Sequence, residues 1–176
     1  MIYEKIHGWF GFRDLYDKVL GENENAVFVE IGTWKGKSAS YMAERIMESK
    51  KNIKFHTIDT FDMTPDNDHY ELIDVDNLYN TCMDNLKPVG SCVNVIRKSS
   101  IEACGDFGDC SVDFLFIDGS HRYEDVKKDI ESWYPKVKRG GIISGHDYFS
   151  PDVKRAVMEF FGKDIPFGSE CWFTKK

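Results

Sequence analysis

Asp118 and Asp147 each follow an apolar run, in "FLFIDGSHRYEDV" and "GGIISGHDYF", and a histidine stands near each, His121 and His146. Two carboxylates with one or two imidazoles could hold a divalent cation, because neighbouring buried carboxylates repel unless a positive charge lies between them. Oxygen ligands favour Mg2+ or Mn2+, and added imidazoles tilt the choice toward Mn2+, Fe2+ or Zn2+. The same residues have plainer uses. A lone acid caps a helix, His121 can bond backbone at a helix start, and His146 can pack as a neutral ring.

A second group lies in "VEIGTWKGKSASYM", where Glu30, Gly32, Thr33, Trp34, Gly36 and Ser38 fall between an expected strand and an expected helix. Glycines let the chain turn tightly and approach a ligand, and a helix start offers unpaired amides. The spacing Gly-x-x-x-Gly is neither the strict dinucleotide fingerprint nor a phosphate loop, so nucleotide-like binding and a structural turn both stay open. Asp59 closes the next apolar run, where an acid accepts hydrogen bonds from ribose hydroxyls or caps the following loop. Ser99 and Ser100 follow the third run. With Glu102 they have the spacing of a capping box, and the same turn could edge an adenine.

These residues need a scaffold that brings run ends together. Near-continuous apolar runs at 26–31, 53–59, 92–97, 112–118 and 141–147 predict strands covered on both faces, as in a parallel sheet. Helical spacing lies between them. Residues 38–49 carry Met42, Ala43, Ile46 and Met47 on one side, and 76–86 carry Tyr79, Cys82, Met83 and Leu86. Tyr123, Val126, Ile130, Tyr134 and Val137 recur at helical spacing, with Gly140 and Gly141 as the expected stop. Alternation of this kind predicts a doubly wound α/β sheet. "PDVKRAVMEFFG" reads as a last helix, and "IPFG" and "CWFTKK" as an antiparallel hairpin at one sheet edge. Residues 60–75 are acidic and without period, either a lid at the carboxyl end of the second strand or a plain solvated excursion.

At 176 residues the chain suits a single domain, 1–176, with residues 1–25 as an N-terminal helical extension on the substrate side. Its formal net charge of -7, without a basic block, disfavours nucleic acid as a partner. The N-terminus lacks a signal-peptide pattern and no run reaches the length of a membrane span, so the cytoplasm is the expected location. The 5 cysteines match no metal-knuckle spacing and read as reduced thiols.

Taken together, "VEIGTWKGKSA", "HTIDTF", "SVDFLFIDGSHRYEDVKKDIESWYPKVKRGGIISGHDY" and "VKRAVMEFF" resemble class I S-adenosylmethionine-dependent methyltransferases. The closer resemblance is to the small-molecule branch with the macrocin-type O-methyltransferases. It implies a Rossmann-like methyltransferase fold, a seven-stranded, mostly parallel sheet with an antiparallel C-terminal strand. It implies that Glu30, Gly32 and Gly36 line the methionine and ribose side of S-adenosylmethionine, with Thr33, Trp34 and Ser38 in the same loop. Asp59 would hold the ribose, Ser99 and Ser100 would lie by the adenine, and Asp118 would stand where cofactor and substrate meet.

In metal-using relatives the acids after the fourth and fifth strands hold Mg2+ near the substrate hydroxyl, and Asp118 and Asp147 match two of those positions. This chain departs from the pattern in having His146 before Asp147 where paired acids are usual, and Ser120 where some relatives have an acid. The expected reaction is attack of a small-molecule hydroxyl, such as that of a sugar, on the cofactor methyl. Asp118, His146 and Asp147 are the expected metal ligands for Mg2+ or Mn2+, and His121 is the expected base. A cofactor-binding protein without catalysis is one rival; a nicotinamide oxidoreductase, which needs a glycine fingerprint and proton donor not found here, is another. A homodimer would be one way to cover so small a site.

Overall fold

The computed structural model describes residues 1–62, 77–162, 165–168 and 170–176. The expected lid at 60–75 falls largely outside the described residues. A 3-10 turn at Tyr3–Lys5 and helix α1 (Arg13–Glu22) precede strand β1 (Asn25–Ile31). Then follow α2 (Lys37–Ser49), β2 (Asn52–Asp59), α3 (Leu78–Leu86), β3 (Asn94–Arg97), α4 (Ser100–Cys104), β4 (Val112–Ile117), α5 (Tyr123–Trp133), β5 (Val137–Gly145) and α6 (Pro151–Phe161). Two short strands, β6 (Phe167–Gly168) and β7 (Cys171–Lys175), end the chain.

The seven strands form one sheet in the order β3-β2-β1-β4-β5-β7-β6. β1 to β5 run parallel, and β7 is antiparallel to both β5 and β6. The doubly wound sheet and the terminal hairpin are both present as expected. The order changes direction between β1 and β4, and ligand crevices in open α/β sheets form outside the carboxyl strand ends at such a switch point. Each sheet face carries its own apolar layer. Phe28, Phe114 and Phe116 pack with α1 and α2 on one side, and Leu115, Ile143 and Val29 pack with α5 and α6 on the other.

Helix α5 stops earlier than Gly140 and Gly141 would place it. Its buried face is Val126, Ile130 and Trp133, Pro135 lies in the 3-10 turn Tyr134–Lys136, and Val137 already belongs to β5. The two glycines sit instead where the β4 pairing shifts register between Val112 and Phe114. A Cβ at Gly141 would lie 3.0 Å from the carbonyl oxygens of both Asp113 and Lys138. Met47 and Met83, expected on buried helix faces, are exposed. Their neighbours Met42, Ile46, Cys82 and Leu86 fill the interior in their place.

Phe12, Tyr16, Val19 and Leu20 make one buried stripe on and beside α1, at the i, i+4, i+7, i+8 spacing of an amphipathic helix. Upstream of it, Tyr3 N donates to buried Glu44 (2.8 Å) and Lys37 Nζ donates to Gly8 O (2.8 Å), strapping residues 3–8 across α2.

Candidate active site

Parallel pairing sets the carboxyl ends of β2, β1, β4 and β5 side by side, and backbone bonds extend the alignment past the strands. Gly32 N donates to Ile58 O, Asp118 N to Ile31 O, and His146 N to Ile117 O. Gly32 must be glycine here. Its φ of +92° is left-handed, and a Cβ would come within 2.0 Å of the Asp118 carbonyl oxygen.

Asp59 organises the glycine turn. One carboxylate oxygen accepts from Thr33 N and Trp34 N, each at 2.8 Å, and the other accepts from Phe61 N at 2.7 Å. The oxygen that accepts from Phe61 N keeps a further lone pair for a ligand hydroxyl. Trp34, at a left-handed φ of 48°, stacks on Trp9 with centroids 5.6 Å apart. The Thr33 side chain is buried against Thr57 rather than open to a ligand. Gly36 is the left-handed N-cap of α2, and Ser38 lies in its first turn.

Beneath the turn, Glu30 is 1% exposed. Tyr16 Oη donates to it at 2.5 Å and Thr57 Oγ1 at 3.0 Å. Burial pushes its carboxyl up to about 7, against the pull of these hydroxyls. Tyr16 was not singled out by the sequence. It lies in the N-terminal extension, and only the α1 stripe could have pointed to it.

At β3 the capping-box reading of Ser99 is realised. Glu102 N donates to Ser99 Oγ (3.3 Å) and Ser99 N to Glu102 Oε2 (3.2 Å). Ser100 receives the indole N–H of Trp133 on its hydroxyl at 2.9 Å, which ties α4 to α5.

Beyond β4 and β5 the two acids and two histidines converge. His121 Nε2 lies 3.0 Å from Asp147 Oδ2 and 3.7 Å from Asp118 Oδ1. His146 Nδ1 lies 3.0 Å from Asp147 Oδ2 and 3.5 Å from Asp118 Oδ1, and its Nε2 is 3.5 Å from Glu170 Oε2. Glu170 comes from the β6–β7 turn. Asp147 adopts a left-handed φ of 53°, which turns its side chain back over the strand ends.

The charges are tightly coupled. The carboxylates of Asp118 and Asp147 beside it push His121 up to about 10. Burial opposes a charge on His146, but the same two carboxylates outweigh it and push it up to about 10. In return, His121 and His146 hold the Asp147 carboxyl well below the usual carboxylate range. Without a cation the two imidazoles serve as the positive charges that keep the acids together.

Ligand atoms of Asp118, His121 and Asp147 all lie within 4.8 Å of one another. Two carboxylate oxygens and an imidazole nitrogen form a donor set suited to Mn2+, Fe2+ or Zn2+, so the residues present fit a divalent cation. The third member of this set is His121, whereas the sequence pointed to His146. His146 lies behind the two acids, its side chain 14% exposed against 53% for His121. The ring of Phe12, at 5.1 Å between centroids, packs on it.

Comparison with known proteins places this arrangement in context. Residues 29–148 match the family model described as a methyltransferase domain. An uncharacterized protein, R132, of Acanthamoeba polyphaga mimivirus is 33% identical over 155 residues, 84% of this chain and 64% of that protein. Against an uncharacterized protein, y4gI, of Sinorhizobium fredii, identity is 29% over 68% of this chain but only 13% of the relative. The chain thus spans less than two thirds of the length of these curated relatives. Among solved structures, the O-methyltransferase NovP superposes with a TM-score of 0.66 at 19% identity, over 93% of this chain and 77% of that one. CalS11, a TDP-rhamnose 3'-O-methyltransferase of calicheamicin biosynthesis, superposes at 0.57 with 16% identity, over 93% and 76%.

Proposed function

The chain belongs to the methyltransferase domain family, and from that premise we propose that it is an S-adenosylmethionine-dependent O-methyltransferase acting on a hydroxyl of a small molecule, with a divalent cation at Asp118, His121 and Asp147. One observation carries the proposal: the three-residue donor set opens directly beside a glycine turn and Asp59, at the switch point of the sheet.

In this reading the cofactor supplies a methyl group on a positively charged sulfur. Gly32 and Gly36 let the chain approach its methionine and ribose, with Trp34 and Ser38 alongside. Asp59 keeps Thr33 and Trp34 in place through one oxygen while the other accepts from a ribose hydroxyl, and Ser99 and Ser100 sit at the adenine end. Asp118, His121 and Asp147 would hold the cation, which would supply positive charge to steady the acceptor oxygen as it attacks. His146, held between these acids and Glu170, orients Asp147.

A sugar hydroxyl is the favoured acceptor, in keeping with the similarity to a structure named as a TDP-rhamnose methyltransferase. A homodimer that covers the exposed rings of Trp9, Phe149 and Phe167 belongs to the same reading. So does a cytoplasmic location; no described helix is long and apolar enough to cross a membrane.

The test is methyl transfer from S-adenosylmethionine to a panel of hydroxylated small molecules, nucleotide sugars and simple phenols included, with and without Mn2+. Metal-stimulated formation of S-adenosylhomocysteine together with a methylated hydroxyl would support the reading. Tight cofactor binding with no turnover over the whole panel would favour a cofactor-binding protein without catalysis.

A further inference from the structure

A continuous line of polar side chains runs from α1 into the glycine turn. Tyr16 donates to Glu30, Thr57 donates to the other oxygen of Glu30, and the Thr57 hydroxyl also meets that of Thr33. Glu30 is the only ionisable carboxylate in this line, and hydroxyls are its hydrogen-bond partners; Ser38 on α2 is a further one facing it. Among the described residues, no lysine, arginine or histidine forms an ion pair with it. The other ionisable groups facing it are Asp118 beyond β4, of like charge, and the Cys82 thiol on α3.

A buried carboxyl so placed is charged only at a cost, and hydroxyls recover part of that cost. With its ordinary range displaced to about 7 by burial, Glu30 carries a proton in a large share of molecules at neutral pH. The ligand proposed for the adjoining turn bears an ammonium and a sulfonium.

We propose that binding of the cationic methionine end of the cofactor at the glycine turn expels a proton from Glu30, and that Tyr16 is the positioning residue that holds the Glu30 carboxylate for it. The inference rests on the cofactor reading given above. Its balance is simple: the Glu30 O–H bond breaks, the proton passes to buffer, and the carboxylate charge then faces the ligand's positive charge. The N-terminal helix becomes part of the cofactor site instead of only a cover on the substrate side. Affinity for the cofactor then rises with pH across the Glu30 titration.

Calorimetric titration of S-adenosylmethionine at pH 6, 7 and 8.5, in pairs of buffers that differ in ionisation heat, reads the protons released. Wild type should release close to one proton at pH 6, about half at pH 7 and few at pH 8.5. Glu30→Gln should release none from this site at any pH. Tyr16→Phe removes a donor that favours the charged carboxylate, so its release should persist to higher pH. Its loss of affinity should be severalfold at pH 6 and should largely vanish at pH 8.5. A role in packing alone would lower affinity by the same factor at every pH.

Cofactor binding without proton release at pH 6, or equal release by Glu30→Gln, overturns the proposal and leaves the methyltransferase reading intact. No binding by folded wild type removes both. Should the variants not fold, infrared difference spectra of wild type decide. The protonated-carboxyl band must disappear on saturation with cofactor at pH 6, and its persistence contradicts the proposal.

Discussion

His121 and Asp147, contributed by the segments after β4 and β5, meet at 3.0 Å between Nε2 and Oδ2, and Asp118 stands 3.7 Å from the same nitrogen. The contact follows from parallel pairing of β4 with β5, which sets Ile117 opposite Gly145 and starts both following segments at one level. The imidazole nitrogen thereby lies among the atoms that would hold a shared cation. A divalent cation held here would take the place of the proton that these carboxylates favour on His121.

That exchange assigns different weights to the two histidines. Mn2+ titration, followed by the ion's magnetic resonance signal, should show Asp118→Asn, Asp147→Asn and His121→Ala each weakening affinity about tenfold or more. His146→Ala should weaken it less, as the loss of a group that orients a ligand. Equal binding by wild type and His121→Ala would remove His121 from the donor set and restore His146 as the third ligand.

Gly32 offers a test of close approach between β1 and β4. Gly32→Ala places a methyl 2.0 Å from the Asp118 carbonyl oxygen at a left-handed φ, whereas a Cβ at Gly108 meets nothing within 4 Å. Gly32→Ala should cost well over about 1 kcal/mol in urea unfolding and displace Asp118, and Gly108→Ala should stay within about 0.5 kcal/mol of wild type.

Glu30 should impose a pH dependence on the ligand-free protein. Its folded range is raised from 4.5 to about 7, so the folded state binds the proton more tightly than the unfolded chain. The associated stability is fully present below about pH 4.5 and is lost as pH rises through about 7, an effect of order 3 kcal/mol at most. Urea unfolding of wild type minus that of Glu30→Gln, measured from pH 4.5 to 8, should fall over this window. A difference that stays flat would mean that Glu30 is already ionised at pH 4.5.

Much of this was legible in the sequence because burial on both faces leaves continuous apolar runs. Glu30, Asp59, Asp118 and Asp147 were found by position alone, each at or just past the end of such a run. The end of α5 was misplaced because Gly140 and Gly141 look like a helix stop, while Pro135 had already provided one and the glycines served a strand irregularity. The partners of Glu30 were hidden for another reason. Tyr16 and Thr57 come from elements on either side of β1, and nothing local in the chain records that Tyr16 will reach across the sheet face. The division of roles between His121 and His146 was equally out of reach, since it depends on which ring faces solvent.

Asp59 connects the fold to the proposed chemistry, because its carboxylate fixes the glycine turn and is the proposed holder of the ribose. Calorimetric titration of S-adenosylmethionine into wild type and Asp59→Ala, with Mn2+ present and absent, tests the central claim most directly. The account predicts saturable one-to-one binding by wild type and its loss in a folded Asp59→Ala. Absence of binding by folded wild type in both conditions would contradict it.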